Sequence, residues 1–161
     1  MASTYTPIAT TTLGSAVATY TFNSIPSTFT DLLLVANTNQ TSTSSGLSLQ
    51  FNGDTGANYS FTYMQGNASA ASSNRASNVY SIDHNYQNAG TWGQTYININ
   101  NYSNTTTYKT TLSRASQANT LVMSHTGLWR STAAINSIKI LVSAGNYDVN
   151  STFTLYGIKA A

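Results

Sequence analysis

Cysteine is absent from this 161-residue chain. That excludes a disulfide framework and any thiolate-held metal, and it leaves the redox compartment open. Glutamate is absent too. The acids are four Asp (Asp31, Asp54, Asp83 and Asp148), and the cations are three Lys and three Arg. Only 6% of residues are therefore charged, against about 25% in an ordinary soluble domain. The formal net charge is +2, and it comes from scattered cations. Capture of a phosphate backbone or an anionic membrane surface needs clustered Lys and Arg. Neither nucleic acid nor membrane is an expected partner. Long apolar runs are missing as well. The longest is Leu32 to Ala36, far short of the roughly 20 residues that span a bilayer as a helix. Met1-Ala2-Ser3-Thr4-Tyr5 offers no cationic stretch followed by an apolar run, so no signal peptide is expected. A protein made in the cytoplasm and soluble there is the expectation.

Hydroxyls and amides replace the missing charge. Thr, Ser and Asn make up about two-fifths of the chain. A large net charge keeps proteins apart in solution; this sequence has given up most of that repulsion and tolerates dense packing among copies or partners. Disorder is excluded by eleven Tyr and 40% hydrophobic residues, since disordered chains are poor in both. The length suits one domain with one core.

Alternation with a period of two dominates, and helical periodicity is hard to find. Strands are expected at Val17–Phe22, Asp31–Thr38, Leu47–Phe51 and Tyr59–Tyr63, then at Val79–Ile82, Gln94–Ile99 and Tyr108–Ser113. Thr120–Thr126, Ile135–Val142 and Thr152–Ile158 complete the set. The apolar run Leu32–Val35 reads as a strand buried on both faces. Asn52-Gly53, Gly66-Asn67, Ala89-Gly90 and Gly145-Asn146 supply turns, because Gly and Asn tolerate positive φ. Two polar stretches, Asn39–Gly46 and Asn67–Asn78, read as exposed loops. About ten short strands with regular turns predict an all-β chain, an antiparallel β-sandwich with jelly-roll connections. Residues 13–161 form the single sandwich domain, and residues 1–12 are either an extended arm or an edge strand.

The search for chemistry returns little. His84 follows Asp83, and His125 shares a side with Leu121 and Met123. Hydroxyls are so abundant that one near either His is expected by chance. No Gly-x-Ser-x-Gly elbow is present, and His125 reads as a hydrogen-bonded core or interface residue. Glycoside cleavage needs a carboxylate pair, yet each Asp has a routine place: Asp31 opens a strand, Asp83 ends one, and Asp54 and Asp148 sit in turns. Asn52-Gly53-Asp54-Thr55-Gly56 lacks the further ligands of a calcium loop and reads as a tight turn. Six Asn-x-Ser/Thr sequons, beginning at Asn39, Asn58, Asn67, Asn101, Asn104 and Asn150, match the about five that composition alone would generate. No catalytic, cofactor-binding or metal-ligating residue is assigned, and the chain is not expected to be an enzyme. Recognition is left to aromatics. Trp92, Trp129, Tyr86, Tyr96 and Tyr102 are the candidates to stack on sugar rings or anchor an interface.

Five strings carry more than pattern. They are Ile25-Pro26-Ser27-Thr28-Phe29-Thr30-Asp31-Leu32, the stretch Phe51 to Ser60 (FNGDTGANYS), Asn101 to Thr110 (NYSNTTTYKT), Gly127 to Ile135 (GLWRSTAAI) and Ser151 to Ala160 (STFTLYGIKA). Together they resemble a domain of structural proteins in tailed bacteriophages, over nearly the whole chain from Thr4 onward. The resemblance implies a virion component of the tail-fibre or minor structural class, assembled in the host cytoplasm, and it carries over no catalytic residue. Relatives place the domain at the end of a longer fibre, whereas no stalk, coiled coil or repeat precedes Thr4 here. The expectation is therefore a capsid decoration protein seated directly on the head shell, with capsid or tail proteins as partners and a homotrimer as the favoured assembly. A fibre-borne module that recognises a host surface glycan is the alternative.

Overall fold

The computed structural model describes residues 4–42, 45–118 and 121–159. Among them are twelve strands: β1 (Tyr5–Thr12), β2 (Thr19–Phe22), β3 (Asp31–Thr38), β4 (Leu47–Phe51), β5 (Tyr59–Gly66), β6 (Ala71–Val79), β7 (Ile82–Asp83), β8 (Gly93–Asn100), β9 (Lys109–Gln117), β10 (Leu121–Trp129), β11 (Ile138–Val142) and β12 (Thr152–Ile158). No helix long and apolar enough to cross a membrane occurs among the described residues. The strands form an eight-stranded sheet, ordered β1-β12-β3-β8-β9-β10-β5-β6, and a four-stranded sheet, ordered β2-β11-β4-β7. Every pairing is antiparallel. The all-β sandwich expected from alternation is the observed fold.

The connections follow a rule. β1 pairs with β12, β2 with β11, β3 with β8 and β4 with β7. One long hairpin rolled upon itself gives this pattern, and the rolling brings β12 beside β3 and β11 beside β4. Two hairpins are inserted into that frame, β5–β6 between β4 and β7, and β9–β10 between β8 and β11. They widen one sheet and leave the other narrow.

The two sheets bury different material along their length. Leu32, Leu34, Ile97, Ile99, Phe153 and Leu155 of the wide sheet meet Phe22, Leu47, Leu49, Phe51, Ile138 and Ile140 of the narrow one in a continuous apolar core. Under β9 and β10 the interior turns polar, with Thr111, Ser113, Gln117 and His125 pointing inward. The burial of β9 alternates without a break from Lys109 to Gln117. The same period-two pattern that makes a strand here faces amides and hydroxyls inward, so each must find a partner or lose its hydration uncompensated.

Several expectations need correction. Residues Ala71–Val79 form an edge strand, where the sequence suggested a loop through Asn78; all but Ala76 and Val79 are exposed, and hydrogen bonds to β5 hold the segment without an apolar face. Val79 ends β6 and Ile82 opens β7, so the single strand expected at Val79–Ile82 is two strand ends around a turn. Asn39–Gly46 is not simply an exposed loop, because Gln40 and Ser45 are fully buried; Thr43 and Ser44 lie outside the described residues. Strand β3 is buried on one face and half-buried on the other, since no strand among the described residues packs on the outer face of the wide sheet. Tyr5–Thr12 is an edge strand paired with β12, which settles arm against strand for those residues; Met1–Ser3 lie outside the described part. Thr120, the first residue of its expected strand, is likewise outside it.

Candidate functional site

The wide sheet overhangs the narrow one. The narrow sheet ends at β7, which packs on β10 and β5. Inward residues of β10 are accordingly buried, those of β5 beyond Tyr59 are half-buried, and the facing residues of β6 are largely exposed. The overhang encloses a cleft of about 590 Å³, in the size range of small-molecule sites. Its floor is Tyr63 and Gln65 of β5, with the β5–β6 turn at Asn67 on one side. Tyr86 and Asn88, from the loop after β7, form the other wall, and Gln117 and Leu121 close the end. No formally charged side chain lines it.

The loop that carries Tyr86 is built from the inside. His84, Asn85 and Gln87 are buried while Tyr86 between them is 44% exposed. The His84 amide donates to the Leu47 carbonyl (2.8 Å). Asn85 accepts the Leu47 amide at Oδ1 (2.6 Å) and donates through Nδ2 to Thr95 Oγ1 (2.7 Å). Gln87 exchanges two main-chain bonds with Ser45, accepts from Thr38 Oγ1 (3.0 Å) and donates to the Thr38 carbonyl (3.2 Å). Gln117 Nε2 donates to the Asn88 carbonyl (3.1 Å) and ties the loop to the end of β9. Such close packing needs glycine opposite it. A Cβ on Gly46 would collide with the Asn85 carbonyl oxygen. With these three side chains turned inward, Tyr86 is left on the surface, where it lines the cleft.

Tyr63 rests on a stack of rings. His125 lies beneath it at 5.0 Å between centroids with planes 28° apart, and Phe61 lies beside it at 6.4 Å and 23°. His125 is buried, and neither ring nitrogen has a hydrogen-bond partner; the hydrogen-bonded histidine expected from sequence is instead a packing ring. Burial pulls its pKa down to about 4, against a smaller opposing pull from the Asp83 main chain. His84, 6.3 Å away between centroids, is pushed well below the ordinary value by its burial and then by His125. Its Nδ1 contacts Ser113 Oγ at 3.0 Å. The contact has the distance of a hydroxyl–imidazole pair, and both residues are buried in the interior.

The structure sorts the other expected residues clearly. Tyr86, Trp92 and Tyr96 are surface aromatics. Tyr86 lines the cleft, Trp92 borders a smaller depression with Asn37 and Gln94, and Tyr96 stands on the outer sheet face beneath Arg114 (5.8 Å). Trp129 and Tyr102 are core residues. Trp129 Nε1 donates to Asp54 Oδ2 (2.7 Å), which holds the indole in the fold rather than on a recognition surface. Tyr102 Oη donates to the Pro26 carbonyl. The aspartates hold separate parts of the fold: Asp31 accepts from the Asn101 amide, Asp83 from Ser48 Oγ and Asp148 from Asn39 Nδ2. Asp54 Oδ1 takes the Gly56 amide (2.8 Å), and φ is 52° at Asn52 and 70° at Gly53, the tight turn expected of that string. No group of three or more His, Asp, Glu or Cys that would hold a metal occurs among the described residues. Sequence reading missed Tyr63 and Gln65 as site residues. They look like ordinary strand positions, and only the shortfall of the second sheet uncovers them.

Comparison with known proteins adds no family. No protein-family description matches the chain, and no curated protein matches it. Among solved structures, a crystal structure of a protein of unknown function from Shewanella oneidensis MR-1 aligns over 98% of this chain and 77% of its own, at 8% identity and a TM-score of 0.25. Likeness at that level supports no argument about fold or function.

Proposed function

We propose that the chain is a non-enzymatic structural protein of a tailed-bacteriophage virion, a decoration protein that docks on the head shell and stabilises it as a trimer. Support comes from the phage-like strings and, above all, from one structural observation: the bare outer face of the wide sheet. Across β8, β9, β10 and β5 this face presents Tyr96, Leu112, Val122 and Met64, each at least 37% exposed, among Thr, Ser, Asn and Gln. Arg114 is its single formal charge on those strands. Cross-strand neighbours such as Leu112 with Thr126 and Met64 with Ser124 make it continuous. A stable contact on such a face would bury about 1,200 Å² or more and, lacking ion pairs, would withstand salt.

Electron microscopy of the intact particle tests this reading directly. Density for the chain on the head at three-fold positions is the expected result; density confined to the tail refutes the decoration role. The alternative, a tail- or head-fibre module that recognises host glycan, draws its support from the overhang cleft.

A further inference from the structure

The cleft has a chemistry of its own. Its two aromatic faces come from different elements, Tyr63 on β5 and Tyr86 on the loop after β7, and amide side chains at Gln65, Asn67, Asn88 and Gln117 surround them. A tyrosine ring presents an apolar face with a polar tip. A carboxamide places a donor and an acceptor side by side, which matches adjacent hydroxyls on one ring; Gln65 and Asn88 carry that pair here, since Asn67 Oδ1 and Gln117 Nε2 are already bonded within the protein. Ligands with this double character, an apolar C–H face and a rim of neutral hydroxyls, are saccharides. The cleft lacks Lys, Arg and acids, so a phosphate or carboxylate on the ligand would meet no counter-charge and would lose hydration without return. We infer that the overhang cleft is a binding site for a neutral saccharide, with Tyr63 and Tyr86 as its stacking faces. This deepens the second reading above and rests on the cleft alone, whatever part of the particle carries the chain.

Rigidity supports the assignment. Tyr63 is backed by His125 and Phe61, and Tyr86 is forced outward by three buried neighbours. Asn67 is oriented as well, its Oδ1 accepting the Ser69 and Ala70 amides at 2.9 and 2.8 Å and leaving its amino group for the cleft. Groups held in place before a ligand arrives lose little entropy on binding it. A patch of surface tyrosines with no recognition task needs no such backing.

The test is titration of the full chain, followed by 1H–15N NMR, with neutral hexasaccharides of glucose, mannose, galactose and N-acetylglucosamine. Dextran sulfate serves as the anionic control. The expected result is binding of at least one neutral hexasaccharide at about millimolar concentration or tighter, with shifts among the described residues confined to 63–69, 84–88, 117 and 121. Tyr86→Ala should weaken it about tenfold, Tyr86→Trp should retain it, and Tyr96→Ala, outside the cleft, should leave it unchanged. Tyr86 is exposed, so its substitution does not endanger folding, and unchanged melting of the variant confirms that. Absence of binding across the neutral panel, binding of dextran sulfate alone, or equal affinity in Tyr86→Ala overturns the inference. None of these results bears on shell docking, which particle microscopy decides separately.

Discussion

Acid should unfold this protein earlier than its few carboxylates suggest, and His125 supplies the reason. In the unfolded chain its imidazole titrates near 6.5, while in the fold burial holds it down to about 4. Between those values the unfolded state carries a proton that the folded state refuses, so stability rises with pH there and falls on acidification. The contribution is complete above pH 6.5 and lost progressively down to about 4. Each pH unit in that window costs about 1.4 kcal/mol, so moving from pH 6.5 to 5 removes about 2 kcal/mol, a large part of a typical 5–15 kcal/mol. His84, lowered further by burial and by His125, acts with the same sign. Asp83 opposes them. Its burial raises the carboxyl's pKa, so it favours the folded state in acid and loses that contribution as pH rises through its folded value. The variant His125→Phe keeps a ring under Tyr63, removes the titration together with its effect on His84, and eliminates two buried nitrogens that have no partner among the described residues. Urea midpoints measured at pH 8, 7, 6 and 5 should show the variant gaining on the native chain by about 2 kcal/mol between pH 8 and 5. Parallel pH curves for the two proteins would refute the argument, because His125 would then have found its proton at no cost to folding.

Other substitutions read other parts of the structure. Gly46→Ala should destabilise by about 2–4 kcal/mol, because the new Cβ meets the main-chain oxygen of Asn85 and overpacking there cannot be relieved by a side-chain rotation; a melting curve within experimental error of the native one would contradict that contact. Trp129→Phe removes the indole donor that Asp54 accepts, at a cost of about 1.5–3 kcal/mol for a bond to a charged group. Partial burial penalises the Asp54 carboxylate, but bonds from Trp129, the Gly56 amide and Asn58 outweigh this and lower its pKa, so the deficit should be full above pH 3.8 and shrink as pH falls through the folded value. Leu112→Asp, on the outer face, should leave thermal stability within about 0.5 kcal/mol and, on the proposed decoration role, abolish attachment to shells in a co-sedimentation assay. Unaltered attachment would move the docking face elsewhere.

Period-two alternation in β3, β4, β8 and β12 was readable because their inward positions include Leu32, Leu34, Leu47, Leu49, Phe51, Ile97, Ile99, Phe153 and Leu155. In β9 it was readable only through Thr, Ser and Lys, which in this composition are everywhere, so the strand was placed but its buried polar face was not. Strand β6, Ala-Ser-Ser-Asn-Arg-Ala-Ser-Asn-Val, carries no apolar period at all. It is a strand because Tyr59–Gly66 offers it a ladder, and no local property of the segment records that. The cleft was hidden for a related reason. Tyr86 was visible as an exposed-aromatic candidate, but Tyr63 becomes a site residue only because β7 is two residues long and leaves β5 half covered. That is a fact about the partner sheet, written some twenty positions away.

The polar interior and the cleft have one cause. A wholly apolar loop after β7 would cost less at one point, since His84 Nε2 finds no partner among the described residues, an unmade bond costing about 1–3 kcal/mol. Asn85 and Gln87, however, do with directed hydrogen bonds what apolar side chains cannot: they fix the rotation of the loop about its own axis, and with it the direction of Tyr86. Apolar packing is non-directional and would tolerate Tyr86 turning back over the core. Loss of that direction without loss of the fold is therefore the signature to seek. Asn85→Leu removes the bonds to the Leu47 amide and Thr95 Oγ1 while keeping bulk. It should broaden the NMR signals of residues 84–88 and weaken saccharide binding by about as much as Tyr86→Ala does. A variant that melts lower yet binds as the native chain does would show that the buried amides serve stability alone.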